Sequence, residues 1–295
     1  MKKTRSKVLI IGAGGFIGSF ITTNLAKPTF TLLTPSSIEL NILDTNSLKN
    51  YFQNHKFDCV INTSGFANML SAEKERNNKK GIVFRLNSLG PKKLAKEADK
   101  YHKFLIHIST DAVFPGTIIF KGPYSETQKP PARVSELSWY AYTKLLGEIN
   151  TRINCKNSAI IRISYPFGYR KHQKDYLTKT IINIKTSKAL FDDFFFTPTY
   201  FADLIKALNI LLEKKLKGTF HVTTKPLTTP YQIGLHLNYK LNLVKKIKKG
   251  SIYNFLKHPG QPKRNIFGGL DSSQTEERLG ITFSNWKKAV DISLK

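Results

Sequence analysis

Short apolar runs alternate with longer amphipathic stretches over the first 165 residues. Val8-Leu9-Ile10-Ile11 has the unbroken apolar character of a strand buried on both faces. A glycine-rich turn follows at once, and a helical pattern then runs to about Leu25. The same reading predicts strands at 30–34, 57–63, 104–110 and 159–164. Helices are predicted between them at 45–54, with Asp44 as N-cap, and at 83–101. A Pro/Gly-rich loop over 115–131 precedes a helix that carries Tyr140. Strands alternating with helices predict an α/β fold, a doubly wound parallel sheet covered on both faces. In such sheets ligands bind beyond the carboxyl ends of the strands. The glycine turn, Ser64, Thr110 and Tyr165 all fall at those ends.

Past residue 165 the alternation weakens. An amphipathic helix is predicted at 200–214 and a strand at 218–223. The stretch 225–270 reads as irregular and basic, and Ser284 is placed to cap a last helix at 285–294. The expected organisation is a nucleotide-binding unit over 1–165, onto which 198–224 packs back, and a mainly substrate-binding region over 166–295.

The glycine turn is the first chemical signal. Gly12-x-x-Gly15-x-x-Gly18 lies between a strand and a helix. Glycines there let the backbone turn tightly and approach a pyrophosphate seated on the helix N-terminus. After the second strand the chain reads Thr34-Pro35-Ser36-Ser37, with neither acid nor arginine. No acidic clamp for a ribose diol is expected, and the hydroxyls suit a 2′-phosphate, which favours NADP over NAD. The third strand ends in small residues, Asn62-Thr63-Ser64-Gly65.

Tyr140 and Lys144 are the second signal. Four residues apart on a helix, they share one face. An ammonium one turn away is expected to favour the phenolate and lower the tyrosine pKa. Such a phenol can exchange a proton with a carbonyl or alcohol.

Composition changes the picture little. The 295 residues carry 47 Lys and Arg against 20 Asp and Glu, a net charge of +27. The lysines are spread along the chain, so the expectation is steering of an anionic small substrate and no nucleic-acid binding. Cys59 and Cys155 form neither a metal motif nor a disulfide framework, and a cytoplasmic location is expected. The glycines within 8–21 argue against a secretion signal, and no apolar run is long enough to span a bilayer. His107, in mid-strand, reads as structural.

The motifs combine in a specific order. After the glycine turn come Asn62-Thr63-Ser64-Gly65 with Ala72-Glu73, then Leu86-Asn87-x-x-Gly90. Ser109-Thr110-Asp111-Ala112-Val113-Phe114-Pro115-Gly116 follows, then Tyr140-x-x-x-Lys144 with Gly147-Glu148. Arg162-x-Ser164-Tyr165, Thr197-Pro198-Thr199-Tyr200, Asp203-Leu204 and Pro262-Lys263-Arg264-Asn265 before Leu270-Asp271 complete the set. In these the chain resembles the extended short-chain dehydrogenase/reductases, and within them the dTDP-4-dehydrorhamnose reductase (RmlD-like) group.

The resemblance implies a Rossmann-type sheet with a smaller C-terminal α/β substrate-binding region. It implies NADPH or NADH as cofactor, and reduction of the 4-keto group of a nucleotide-activated deoxysugar, as in dTDP-rhamnose biosynthesis. Tyr140 would be the proton donor, Lys144 would bond the nicotinamide ribose, and Thr110 would bond the carbonyl oxygen. Gly12, Gly15, Phe16, Ile17 and Gly18 would hold the pyrophosphate. Asn41 and Ile42 would approach the adenine, and Ser64, Gly65 and Phe66 the middle of the cofactor, with Asn87 also in the cofactor set. Asp111 and Tyr165 would touch the sugar. The protein would be a monomer or homodimer, without metal or membrane. The chain departs from the group's pattern at Phe16, Ala112, Phe194 and Phe196, and between 131 and 140. Related 4,6-dehydratases carry Thr-Asp-Glu where this chain has Thr110-Asp111-Ala112. The alternatives are a nucleotide-sugar epimerase and a non-catalytic NADP-binding regulatory subunit of the same fold.

Overall fold

The computed structural model describes residues 5–25, 29–170 and 172–295. The first half runs β1 (Ser6–Ile11), α1 (Phe16–Asn24), β2 (Phe30–Leu33), α2 (Thr45–Asn54), β3 (Cys59–Asn62) and α3 (Met69–Glu73). It continues through α4 (Ile82–Phe84), a π turn over Arg85–Leu89, α5 (Gly90–Lys100), β4 (Phe104–Thr110), α6 (Trp139–Asn154) and β5 (Ser158–Ile163). The second half contains α7 (Tyr176–Lys185), β6 (Leu190–Phe191), α8 (Phe201–Lys214), β7 (Gly218–His221) and α9 (Pro230–Lys240). It ends with β8 (Lys249–Gly250), α10 (Ile252–Leu256), α11 (Ser273–Leu279) and α12 (Trp286–Ser293).

Six strands form one parallel sheet in the order β2-β1-β3-β4-β5-β7. The alternating side chains of a strand explain its two cores. Val8, Ile10, Cys59, Ile61, Ile106 and Ile161 face one side, with Phe20 and Ile21 of α1 and Leu204 and Leu208 of α8. Leu9, Ile11, Val60 and Leu105 face the other, with Leu48 and Phe52 of α2 and Leu94 and Ala98 of α5. Both faces are covered, which is why these strands read as unbroken apolar runs. The strand order reverses between β1 and its two neighbours, which opens a crevice at the carboxyl ends.

β7 is the sixth strand of this sheet, paired with β5 from Ala159↔Gly218 to Arg162↔His221. The segment before it is tied down by threonines. Ser164 N donates to Thr199 Oγ1 (2.9 Å), Thr199 Oγ1 to the Val222 carbonyl (2.6 Å), and Thr223 Oγ1 to the Thr197 carbonyl (2.6 Å).

The helix boundaries follow capping chemistry. Asp44 accepts from Asn46 N at the start of α2, as expected, and Ser138 accepts from Ala141 N at the start of α6. Ser284 does not cap α12. Asn285 does, and Ser284 instead donates through N and Oγ to the buried Asp203. The predicted single helix at 83–101 is broken by the π turn, which bulges Asn87 out of the regular spiral. The supposedly irregular 225–270 holds α9, β8 and α10. α9 opens with a Thr229/Gln232 capping box. Its apolar residues are sparse in sequence because they meet a third core, Phe167, Leu177, Phe196, Ile233, Leu237 and Trp286 among them.

Candidate active site

The first turn beyond β1 is sterically forced. Gly12 has φ +81°, and a Cβ there would lie 2.7 Å from Ser64 N. A Cβ at Gly18 would collide with the Gly12 carbonyl oxygen, so α1 lies directly on the turn. α1 starts at Gly15 with no side-chain cap, leaving its first amides directed outward. An uncapped helix N-terminus beside a close-packed glycine turn is a cradle of the kind that takes a pyrophosphate. The Phe16 ring turns away from the cradle. It lies 4.6 Å from His172 and 5.2 Å from Phe201, centroid to centroid. Ile17 likewise rests partly buried on the first core.

The β3 end supplies the opposite wall. Asn62 accepts from Ser64 N (3.1 Å) and Ser64 Oγ (2.6 Å), while its amide nitrogen contacts His107 Nδ1 at 3.1 Å. Asn87 reaches from the π turn and holds both backbone groups of Phe66, and its amide nitrogen also donates to Thr143 Oγ1. A Cβ at Gly65 would stand 3.8 Å from the Lys144 Nζ, which places the β3 end against α6. Asn87 is itself buried, so it shapes this wall from behind. Asn41 is exposed, but its side chain accepts from Leu43 N. Ile42 is buried and packs where α5 begins at Gly90.

Tyr140 and Lys144 share a face of α6, and the Thr110 hydroxyl at the end of β4 faces the phenol. Lys144 is buried and donates through Nζ to the Ile108 carbonyl at 2.7 Å. Burial pushes its ammonium down to about 8, against the pull of Glu148 in the other direction. The expectation that Lys144 lowers the Tyr140 pKa is not met in this state. Burial pushes the phenol up to about 12, the nearby Asp111 charge adds to the rise, and only Thr110 opposes it. The reason is that desolvation of the phenolate dominates, while the Lys144 ammonium is turned to the Ile108 carbonyl.

Asp111 follows Thr110 at the end of β4. It is buried, and one oxygen accepts from Ser164 Oγ (2.8 Å) and Asn265 Nδ2 (3.0 Å), the other from Thr110 Oγ1 (3.1 Å). Burial raises its pKa, with these hydrogen bonds opposing. Tyr165 stands at the end of β5 with φ +40°. Its ring packs on Tyr176, Phe194 and Phe196, and its hydroxyl feels Arg264, Asp111 and Tyr140.

The profile described as "RmlD substrate binding domain" matches residues 6–295. The chain belongs to that family. It is 26% identical over 288 residues to the spore coat polysaccharide biosynthesis protein SpsK of Bacillus subtilis, covering 97% of this chain and 95% of that one. It is 24% identical over 298 residues to the dTDP-4-dehydrorhamnose reductase of Aggregatibacter actinomycetemcomitans, covering 97% of each. Its fold is similar to a dTDP-4-dehydrorhamnose reductase from Bacillus anthracis solved in complex with NADP. There the TM-score is 0.85, with 22% identity over 99% of each chain.

Within this RmlD-like frame, several residues matter that sequence reasoning did not single out as functional. Glu73 accepts from Trp139 N (2.9 Å), the first amide of α6, and pairs with Arg76. Arg76 donates to the carbonyls of Val134 and Leu137, and Lys263 to that of Ser135. Three charged side chains thus pin the segment leading into Tyr140. Arg264 donates to Met69 Sδ and pairs with no carboxylate among the described residues. Below the site, Glu148 is fully buried against Arg162 (2.8 Å) and Ser109 (2.6 Å). Arg162 and the other charges around Glu148 hold its carboxyl down at about 2 against burial, which pushes the other way. The departures at Phe194 and Phe196 are explained by packing, because both rings wall Tyr165. Glu126, on the long loop, does not stand in for a Glu at Ala112, because it is buried and accepts from Thr275 N and Oγ1. Glu136 lines a small cavity together with Ala112, Lys263 and Asn265.

Proposed function

We propose that this protein is an NAD(P)H-dependent oxidoreductase that reduces the 4-keto group of a nucleotide-activated 6-deoxysugar. The observation that carries this reading is the convergence of Thr110, Tyr140 and Lys144 beside the uncapped glycine turn. The NADP complex of the Bacillus anthracis relative supports the cofactor class, and the reductase relatives support the substrate class.

The residues present fit a dinucleotide. The Gly12–Gly18 turn and the first amides of α1 would hold its pyrophosphate, and the Ser64-Gly65-Phe66 wall would lie along its middle. When bound, the nicotinamide supplies hydride. Tyr140 delivers its proton to the oxygen of the reacting carbonyl, so that ketone becomes alcohol. A phenol kept protonated by burial is in the correct state for a donor at neutral pH. Lys144, held by the Ile108 carbonyl beside Gly65, is placed to order the adjoining sugar hydroxyls and to stabilise the tyrosinate left behind. Tyr165 and Arg264 form the far rim, where an anionic substrate would arrive.

Ala112 separates reduction from dehydration, since its methyl group cannot take the proton that elimination requires. The test uses two mixtures: dTDP-glucose with catalytic NAD, and the 4-keto-6-deoxy sugar nucleotide with NADPH. Consumption of NADPH in the second alone supports the reading. Formation of the 4-keto sugar in the first overturns it.

A further inference from the structure

The basic stretch after β7 is a sequence signal that the site leaves unused. Between residues 226 and 262 stand six lysines, Lys240, Lys245, Lys246, Lys248, Lys249 and Lys257, and no Asp or Glu. Lys240 pairs with Asp291 and Lys249 with Asp192. Lys245, Lys246 and Lys248 are exposed and pair with no carboxylate among the described residues. They lie on the turn between α9 and β8, beside Val244, which is 84% exposed. Asn242 and Val244 have φ of +48° and +49°, a backbone that is strained for a β-branched residue. In this turn Leu243 and Ile247 pack on the third core and Val244 is left in water. The turn is also clasped to α9. Asn238 Oδ1 accepts from Lys245 N (3.3 Å), and Asn238 Nδ2 donates to the Lys245 carbonyl (2.9 Å). α9 itself exposes Leu235 and Tyr239, four residues apart on the face away from the buried Ile233 and Leu237.

We infer that Leu235, Tyr239 and Val244, with Lys245, Lys246 and Lys248 beside them, form a docking surface for an anionic lipid bilayer. The apolar side chains enter the boundary between headgroups and acyl chains, and the lysines meet the lipid phosphates. Charge complementarity selects this occupant. A second copy would set the same unpaired lysines against one another. A single-stranded nucleic acid needs a basic groove with aromatic faces for its bases, whereas the exposed apolar group of this turn is an aliphatic valine. Steering of a small anionic substrate explains the lysines but not the apolar side chains held among them. So few apolar groups give reversible, salt-sensitive binding and no permanent anchor. The inference departs from the expectation of a protein without membrane contact, and it does not depend on the reductase reading.

The test sediments the full chain with vesicles of phosphatidylcholine alone, or of phosphatidylcholine mixed with phosphatidylglycerol. Binding to the mixed vesicles is expected to be at least about ten-fold tighter than to the neutral ones, and to weaken as salt rises. Replacing Lys245, Lys246 and Lys248 together by Gln is expected to weaken it about a hundred-fold, the scale of three lysines at an anionic surface. The whole chain carries +27, so the control removes the same charge elsewhere. Replacing the exposed Lys92, Lys96 and Lys100 of α5 by Gln is expected to cost less than about three-fold. Equal losses in the two variants overturn the inference, because net charge alone would then account for binding. So does a failure of the wild type to bind mixed vesicles at low salt.

A second variant, Val244→Asn with Tyr239→Ser, removes apolar groups and keeps every charge. Asn adopts a positive φ more readily than Val, so the fold is expected to survive, which thermal melting checks. Binding to mixed vesicles is expected to fall about ten-fold. Unchanged binding would reduce the surface to charge alone and overturns the inference. Should this variant fail to fold, the lysine variant, which alters only exposed side chains, still decides. A single-stranded RNA homopolymer is titrated in parallel. Tighter binding to the RNA than to mixed vesicles, lost when the three turn lysines are replaced, makes the surface a nucleic-acid site and overturns the lipid assignment.

Discussion

Asn87 clasps the backbone of Phe66 from both sides. Phe66 N donates to its Oδ1 at 2.7 Å, and its Nδ2 donates to the Phe66 carbonyl at 3.1 Å. The π turn makes this possible by bulging Asn87 toward β3. Asn87→Ala removes the clasp and leaves partly buried backbone groups unpaired, at a cost of about 1 kcal/mol of stability. Because the clasp sets the Gly65–Phe66 wall, we expect NADPH to bind roughly ten-fold more weakly, about 1.4 kcal/mol. Denaturant unfolding and fluorescence titration of the cofactor check the two parts. Unchanged affinity would separate the wall from the cofactor.

Tyr140→Phe keeps the ring and removes the proton. Turnover is expected to fall by about two orders of magnitude or more, the scale of a lost general acid, with cofactor affinity kept. Tyr142, which stacks on Trp139 at 5.7 Å, serves as the control. Wild-type turnover in Tyr140→Phe would remove the phenol from the mechanism.

In the proposed reading the cofactor's 2′ position would lie at the turn after β2. There Ser36 N donates to Glu39 Oε2 at 2.8 Å, so the acid absent from residues 34–37 stands just beyond them. NADPH is expected to bind at least as well as NADH, and Glu39→Gln to move the preference further toward NADPH. Parallel titrations of both reduced cofactors measure this. A wild-type preference for NADH above about ten-fold, ~1.4 kcal/mol, would make Glu39 the ribose clamp.

Arg162 and Glu148 form a buried pair under the site, with the Arg162 guanidinium also 4.9 Å from the Phe114 ring. Glu148→Ala strands Arg162 in the interior and is expected to destabilise the fold by about 3–5 kcal/mol. Urea unfolding reads this directly. A loss under about 1 kcal/mol would mean that water or a shifted side chain takes over the carboxylate's place.

Two buried histidines are expected to make the fold acid-sensitive. His221 is pushed down to about 3 by burial and the Arg162 charge, and burial also holds His107 well below the usual histidine range. Both remain neutral when folded, while the unfolded chain takes up protons below about 6.5. The unfolded state therefore binds more protons, and stability is expected to fall as pH drops from about 6.5 toward 3. Melting temperatures between pH 7 and 5 show the effect, and His221→Gln should flatten the slope. A flat wild-type profile over that range would mean the histidines are not protected.

The sequence by itself determined what is local. A strand buried on both faces is mostly apolar, so β1, β3, β4 and β5 were readable as short apolar runs despite His107 in β4 and Arg162 in β5. Gly12 and Gly15 stand between β1 and α1, with Gly18 in the first turn of that helix, and Tyr140 and Lys144 sit one turn apart, because chain spacing imposes both. Where side chains bury and what they meet was decided elsewhere. α9 looked irregular because its apolar positions make sense only against α7, β6 and α12. Asn87, read as a cofactor contact, holds the Phe66 backbone from the π turn, a pairing no local spacing announces. Asp111, read as a sugar contact, takes hydrogen bonds from Asn265 and Ser164, which lie 154 and 53 positions away. The Tyr140 pKa went up where helical spacing predicted down, because desolvation depends on everything packed around the phenol. Spacing along one helix sets which groups are neighbours; the dielectric around them belongs to the whole fold.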